Sequence, residues 1–148
     1  MFLYWIIKGK LAGSNEPQIT DIPYLKDFNW GALVSLQETP NTKDIAILLG
    51  IPYLNVPISD YCPPLSSDIE KIIEFYEKHC KKMNLPLLIH CTAGHGRTGT
   101  VLASLLVILE NLSSEEAIER IRKVNPLAIE TKDQEMFVNS LQPKKMKQ

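Results

Sequence analysis

The stretch Leu87-Leu88-Ile89-His90-Cys91-Thr92-Ala93-Gly94-His95-Gly96-Arg97-Thr98-Gly99-Thr100 decides how the rest of the chain is read. Leu85–Ile89 is almost wholly apolar, the pattern of a central strand covered on both faces. A tight loop with two glycines follows, and then a helical pattern begins. Such a loop can turn successive backbone N–H groups inward as an anion-binding nest, and the helix N-terminus adds partial positive charge. Gly94 and Gly96 suit backbone angles that other residues resist. Arg97 closes the loop with a planar fork able to grip two phosphate oxygens. Cys91 stands where that field is strongest, and cationic surroundings favour thiolate, the nucleophilic form of a cysteine. The same donors would hold a phosphate dianion and the charge that spreads over its equatorial oxygens during in-line transfer. These residue types at this spacing ask for phosphoryl transfer to sulfur. No Lys occupies the place that a nucleotide-binding GxxxxGKS/T loop requires. Cys62 and Cys80 lack the setting of Cys91 and read as structural.

Outward from this loop, apolar runs alternate with segments of helical period, which predicts an α/β layer fold. Tyr4–Lys8 and Leu11–Gly13 read as short strands around a Gly9-Lys10 turn, and Thr20–Asn29 as a short helix. Ala32–Leu36 is a compact strand, followed by polar punctuation at Glu38-Thr39-Pro40-Asn41. Thr42 reads as the N-cap of a helix to Leu49 that Gly50 ends. Tyr53–Val56 is the next strand, and Pro57–Leu65 a proline-rich loop. A long helix starts at Ser66 or Ser67, with Ile69, Ile72, Ile73, Tyr76, Cys80 and Met83 on its buried face. Thr98–Glu110 is apolar nearly all round, as suits a helix against a sheet. Ser113-Ser114-Glu115-Glu116 is a capping-box pattern that opens a helix through Ala117, Ile118, Ile121 and Val124, which Pro126 ends. A last helix from about Thr131 buries Phe137, Val138 and Leu141, and Lys144–Gln148 reads as a frayed tail.

The chain has 148 residues, 45% hydrophobic and 22% charged. That suits one globular domain over residues 1–148 and excludes disorder as the main state. Sixteen basic against 17 acidic residues leave a net charge of -1. Dedicated nucleic-acid or anionic-membrane surfaces draw on a basic excess, so neither partner is expected. Three cysteines without a CxxC form neither a disulfide framework nor a zinc site, which points to a reducing compartment. Met1–Ile7 is apolar but lacks the basic start of a signal peptide, and the uncharged run Thr98–Leu109 is too short to span a bilayer. A cytoplasmic location is the expectation.

His90-Cys91-x5-Arg97-Thr98 resembles the signature of the cysteine-dependent protein tyrosine phosphatase superfamily. The likeness extends over most of the chain. Trp5-Ile6-Ile7-x-Gly9-Lys10-Leu11-Ala12-Gly13-Ser14 is similar to the opening of small, atypical dual-specificity phosphatases. Leu33-Val34-Ser35-Leu36-x-Glu38 resembles their buried strand, Val56-Pro57-Ile58-x-Asp60-x-x-Pro63-Pro64 their general-acid loop, and Ala128-Ile129-Glu130-Thr131-x-x-Gln134 their late glutamine segment. The resemblance implies a three-layer sandwich, a short, mostly parallel central sheet flanked by helices, with Cys91 at a strand's C-terminal end.

It also implies roles. Cys91 is the nucleophile, and Arg97 with Thr92, Ala93, Gly94, His95 and Gly96 binds the phosphate. Asp60 is the general acid; its alternative reading is a loop-turning Asp beside proline. Glu130 is a second candidate for the acid, or else a solvated charge at a helix entry. Gln134 positions water, although Thr131-x-x-Gln134 is equally a capping box. Thr98 offers its hydroxyl to the Cys91 sulfur, and His90 orders the loop. Where many relatives carry an Arg before the late helix, this chain has Asn125-Pro126, with Arg122 one turn earlier. His95, Lys8, Lys10 and Arg97 could form a local basic cluster. The implied activity is hydrolysis of phosphotyrosine, and of phosphoserine or phosphothreonine, in a phosphorylated protein or peptide, without metal or cofactor. The open alternatives are a phosphoinositide or RNA 5′-phosphate phosphatase, and a module that binds phosphate groups without turnover.

Overall fold

Leu87, Leu88 and Ile89 point alternately to the two faces of a sheet, and each face is covered. The computed structural model describes residues 1–39 and 41–143. Five strands, β1 (Leu3–Ile7), β2 (Leu11–Ser14), β3 (Ala32–Ser35), β4 (Tyr53–Asn55) and β5 (Leu87–His90), form one sheet in the order β1-β2-β5-β3-β4. β1 runs antiparallel to β2, and every other pairing is parallel. β5 is therefore central, and its apolar run Leu87-Leu88-Ile89 follows from burial on both sides. Pro86 has no N–H to give a ladder, so pairing starts at Leu87 rather than Leu85.

Leu87 and Ile89 join a large core with Leu11, Val34, Ile72, Leu105 and Ile121. It lies under α3 (Ser66–Tyr76), α4 (Gly96–Leu109), α5 (Ser114–Val124) and α6 (Lys132–Asn139). Leu88 joins a smaller core with Ala12, Leu33, Trp30 and Ile45. That face is covered by α1 (Ile22–Leu25) and α2 (Lys43–Leu49). The expected three-layer sandwich is thus observed. α4 is buried from Gly96 to Val107. Two of its three buried hydroxyls are satisfied within the helix, Thr100 Oγ1 donating to Gly96 O at 2.6 Å and Ser104 Oγ to Thr100 O at 2.7 Å. Among the described residues no helix is long and apolar enough to cross a membrane.

Several local expectations change. The helix expected over Thr20–Asn29 is a 3₁₀ turn at Ile19–Asp21 and the single turn α1. It stops because Trp30 Nε1 donates to Leu25 O at 3.1 Å while its ring stacks on Trp5 at 5.2 Å. Met83 is exposed rather than buried. A π-helical turn at Glu77–Lys81 inserts an extra residue per turn and rotates the face after Cys80. Val124, at the end of α5, is also exposed. Thr42 occupies the N-cap position of α2 but makes no side-chain cap, because its hydroxyl is engaged elsewhere. Gly50 ends α2 in the left-handed region at φ 70°. The Lys144–Gln148 tail lies outside the described residues.

Candidate active site

β5 delivers His90 and Cys91 to the C-terminal edge of the sheet, where open α/β sheets place their ligands. His90 is fully buried, and burial holds its imidazole down to about 4, partly opposed by its bond to the Cys91 carbonyl. Nδ1 donates to Cys91 O at 3.1 Å, so Nε2 accepts from Thr42 Oγ1 at 2.7 Å. This neutral ring orders the strand exit, as the sequence suggests.

From Cys91 to Gly96 the chain forms a loop in which the carbonyls of Cys91, Thr92, Gly94 and His95 are held by other groups. Cys91 O takes the His90 imidazole. Thr92 O accepts from Glu16 N at 3.0 Å, and His95 O from Gly99 N at 3.0 Å and Ile129 N at 3.2 Å. Gly94 O accepts from the Tyr4 hydroxyl at 2.5 Å and from Asn125 Nδ2 at 3.3 Å. A trans peptide directs its N–H opposite to its C=O. Each outward carbonyl therefore turns the next N–H the other way. Among the described residues, no hydrogen bond uses the N–H groups of residues 92–97. Successive free amides at the start of α4 make an anion cradle.

Cys91 is buried at one end of the cradle and Arg97 at the other. Arg97 Nη1 donates to Ile58 O at 3.0 Å and Nη2 to Thr92 Oγ1 at 3.2 Å. Its Nε has no hydrogen-bond partner and lies 3.5 Å from Asp60 Oδ1. The guanidinium thus joins the cradle to the loop that carries Asp60. Asp60 itself is 54% exposed, at the rim rather than in the core. The next residue, Tyr61, has φ 64°, and its carbonyl accepts from Thr131 Oγ1 at 3.0 Å.

Glu130 and Gln134 reach the cradle at Gly96. A methyl group built on Gly96 would collide with Glu130 Oε1 and lie 3.2 Å from Gln134 Nε2. Both carboxylate candidates therefore border the loop, Asp60 at Arg97 and Glu130 at Gly96. Gln134 is fully buried, and it is a capping residue as well as a site neighbour. Its Oε1 accepts from Thr131 N at 3.1 Å, and Nε2 donates to Cys62 O at 3.4 Å, tying α6 to the Asp60 loop.

Other expected residues fall differently. Thr98 Oγ1 is buried without a hydrogen-bond partner and makes no bond to Cys91. Arg122 is engaged, bonding Ala128 O, Ile129 O and Glu135. The basic cluster of His95, Lys8, Lys10 and Arg97 does not form. The β1–β2 turn lies at the start of β5, where Leu87 N meets Lys10 O, and the cradle lies past its end. Lys10 pairs instead with Glu110 at 3.9 Å. Cys80 is core, its thiol pushed up to about 12 by burial, whereas Cys62 is exposed rather than structural. Tyr4, Glu16 and Gln37 border the loop without any local signal in the sequence. Gln37 Nε2 donates to Glu16 Oε1 at 2.9 Å and Thr92 Oγ1 at 3.3 Å.

Residues 1–138 match the family described as Swiss Army Knife protein, DSP-PTPase phosphatase domain. An uncharacterized protein of Methanocaldococcus jannaschii is 41% identical over 90 residues, covering 60% of this chain and 58% of that protein. The phosphatidylglycerophosphate phosphatase PTPMT1 of Arabidopsis thaliana is 28% identical over 114 residues, covering 74% of this chain and 34% of that protein. The chain thus spans little more than half of the first relative and a third of the second. The solved structure of Tk-PTP in the active form superposes with a TM-score of 0.82 at 30% identity, covering 93% of each chain. With its anion cradle between Cys91 and Arg97 at the end of the central strand, this chain belongs to the dual-specificity branch of the cysteine-dependent protein tyrosine phosphatase superfamily.

Proposed function

We propose that this domain hydrolyses phosphotyrosine, and secondarily phosphoserine or phosphothreonine, in a phosphorylated protein or peptide through a phosphocysteine intermediate. The observation that carries the reading is the run of free N–H groups at residues 92–97 between the Cys91 sulfur and the Arg97 fork. Cys91 thiolate attacks phosphorus and the P–O bond to the leaving group breaks. Asp60, as a carboxylic acid, gives its proton to that oxygen. A water positioned by Gln134 then attacks phosphorus, its proton passes to the Asp60 carboxylate, and the P–S bond breaks to return thiolate and inorganic phosphate. The cradle amides and Arg97 hold the equatorial oxygens in both steps. Thr98, whose buried hydroxyl has no partner, assists thiolate departure after a rotamer change. Glu130 is the second candidate for the acid. Neither metal nor cofactor enters this sequence, and the cytoplasm suits a reduced Cys91.

A lipid phosphomonoester is the second reading, favoured by likeness to the Arabidopsis phosphatase. The rim argues against a substrate with several phosphates, because Asp60, Glu130 and Glu16 all border the loop. Phosphate release in EDTA tests both. Turnover of a phosphotyrosine peptide by wild type, its abolition in Cys91→Ser and a large drop in Asp60→Asn support the proposal. A drop confined to Glu130→Gln moves the acid there. Turnover of phosphatidylglycerophosphate or inositol phosphates but not the peptide selects the second reading.

A further inference from the structure

A glycine peptide can be turned over at little steric cost, so something must decide which way the Gly94–His95 peptide faces. Gly94 has φ +84°, and a Cβ there would lie 2.6 Å from Ser14 C. The residue must be glycine, and no side chain of its own helps to orient the peptide. Of the other outward loop carbonyls, those of Thr92 and His95 are held by backbone N–H groups that any sequence would supply, and that of Cys91 by the ring of the residue just before it. The Gly94 carbonyl is held by two side chains from distant parts of the chain.

We propose that Tyr4 and Asn125 are positioning residues of the phosphatase reaction, which hold the Gly94 carbonyl outward so that the His95 N–H faces the phosphate. The inference rests on the proposed function. Tyr4 is buried, and desolvation keeps its hydroxyl protonated far into alkaline solution, with its bond to Asn125 opposing and the charge of Cys91 adding to the effect. Its hydroxyl is therefore a permanent donor.

Asn125 is also buried, and its orientation is determined by its partners. Oδ1 accepts from Leu127 N at 3.2 Å, so Nδ2 is the atom that faces Gly94 O at 3.3 Å and His95 Nδ1 at 3.0 Å. An amide nitrogen only donates, so His95 Nδ1 is the acceptor and a neutral His95 carries its proton on Nε2. Asn125 thus holds both ends of one residue step, the Gly94 carbonyl and the His95 ring. Asn125 also ends α5, its own N–H donating to Ile121 O at 2.8 Å. That anchors the side chain on a rigid element, as a positioning group requires.

The test uses Tyr4→Phe and Asn125→Asp, which preserve shape and remove the donor. Both are assayed beside wild type for kcat and KM on a phosphotyrosine peptide, for the inhibition constant of vanadate, and for thermal midpoint. Each variant is expected to lower kcat/KM and weaken vanadate about tenfold, the effect of one lost hydrogen bond on a charge-bearing state. A purely structural pair would lower the midpoint and leave both constants of the folded protein within about twofold, which would overturn the proposal. A wild-type measurement covers the case in which the variants do not fold. Vanadate added to wild type should move the His95 amide proton downfield in a ¹⁵N-resolved spectrum and leave His95 in the Nε2–H tautomer. An unmoved amide, or an Nδ1–H ring, would overturn it equally. Vanadate binding without peptide turnover would count against the proposed substrate and not against the positioning pair.

Discussion

Thr42 Oγ1 lies 2.7 Å from His90 Nε2, joining the start of α2 to the residue that precedes the nucleophile. The bond uses a hydroxyl that would otherwise cap its own helix. It requires an unprotonated Nε2, and burial supplies that by holding His90 at about 4. The unfolded ring titrates near 6.5. Between these values only the unfolded chain takes up the proton. Stability is therefore full above about pH 6.5 and declines as pH falls toward 4, by about 3 kcal/mol in total. Urea unfolding of wild type and His90→Asn at about pH 7 and about pH 5 checks this. The wild type should lose more stability between the two than the variant, and equal losses would remove His90 as the cause.

Arg97 does three things with one planar group, bonding Ile58 O and Thr92 Oγ1 and lying beside Asp60. Arg97→Lys keeps the charge and loses the fork. We expect kcat/KM on a phosphotyrosine peptide to fall by about 10²-fold or more. A variant retaining over a tenth of wild-type activity would show that charge alone suffices.

Gly94 and Gly50 both adopt positive φ, yet their surroundings differ. A Cβ on Gly50 meets nothing within 4 Å, whereas one on Gly94 meets the Ser14 and Asn15 backbone at 2.6–2.7 Å. Gly50→Ala should cost about 1 kcal/mol from backbone strain alone. Gly94→Ala should cost clearly more and should also abolish vanadate binding, because the cradle must shift. Equal denaturant midpoints for the two variants would contradict the close approach of β2 to the loop.

Gln134 serves α6 through Oε1 and meets the Asp60 loop through Nε2. Gln134→Glu retains the capping acceptor and removes the donor, so its midpoint should stay close to wild type. Gln134→Ala loses the cap and should cost about 1 kcal/mol. If Gln134 positions water, Gln134→Glu should also slow turnover about tenfold and let phosphocysteine accumulate in rapid-quench measurements. Absence of the intermediate with unchanged turnover would leave the cap as its only role.

The features readable along the chain are those that neighbouring residues decide. Cys91 and Arg97 bracket the loop whatever the rest of the molecule does. The capping boxes at Ser113-Glu116 and Thr131-Gln134 form as written, since each closes within one helical turn. Alternation through Leu87, Leu88 and Ile89 specifies two covered faces, and hence three layers, because β side chains alternate every residue. Expectations about position fail where a contact or a helix irregularity intervenes that the local pattern does not encode. Thr42 gave its hydroxyl to His90, Trp30 stopped α1, and a π turn rotated Met83 into solvent. The same holds at the site. Tyr4 reaches Gly94 across 90 positions of sequence and Glu130 comes to rest against Gly96, while Lys10 is carried to the far end of β5. Periodicity states which face of an element is apolar. Which polar group on one element meets which carbonyl on another depends on strand order, register and helix packing, and these exist only once the chain has closed around its core.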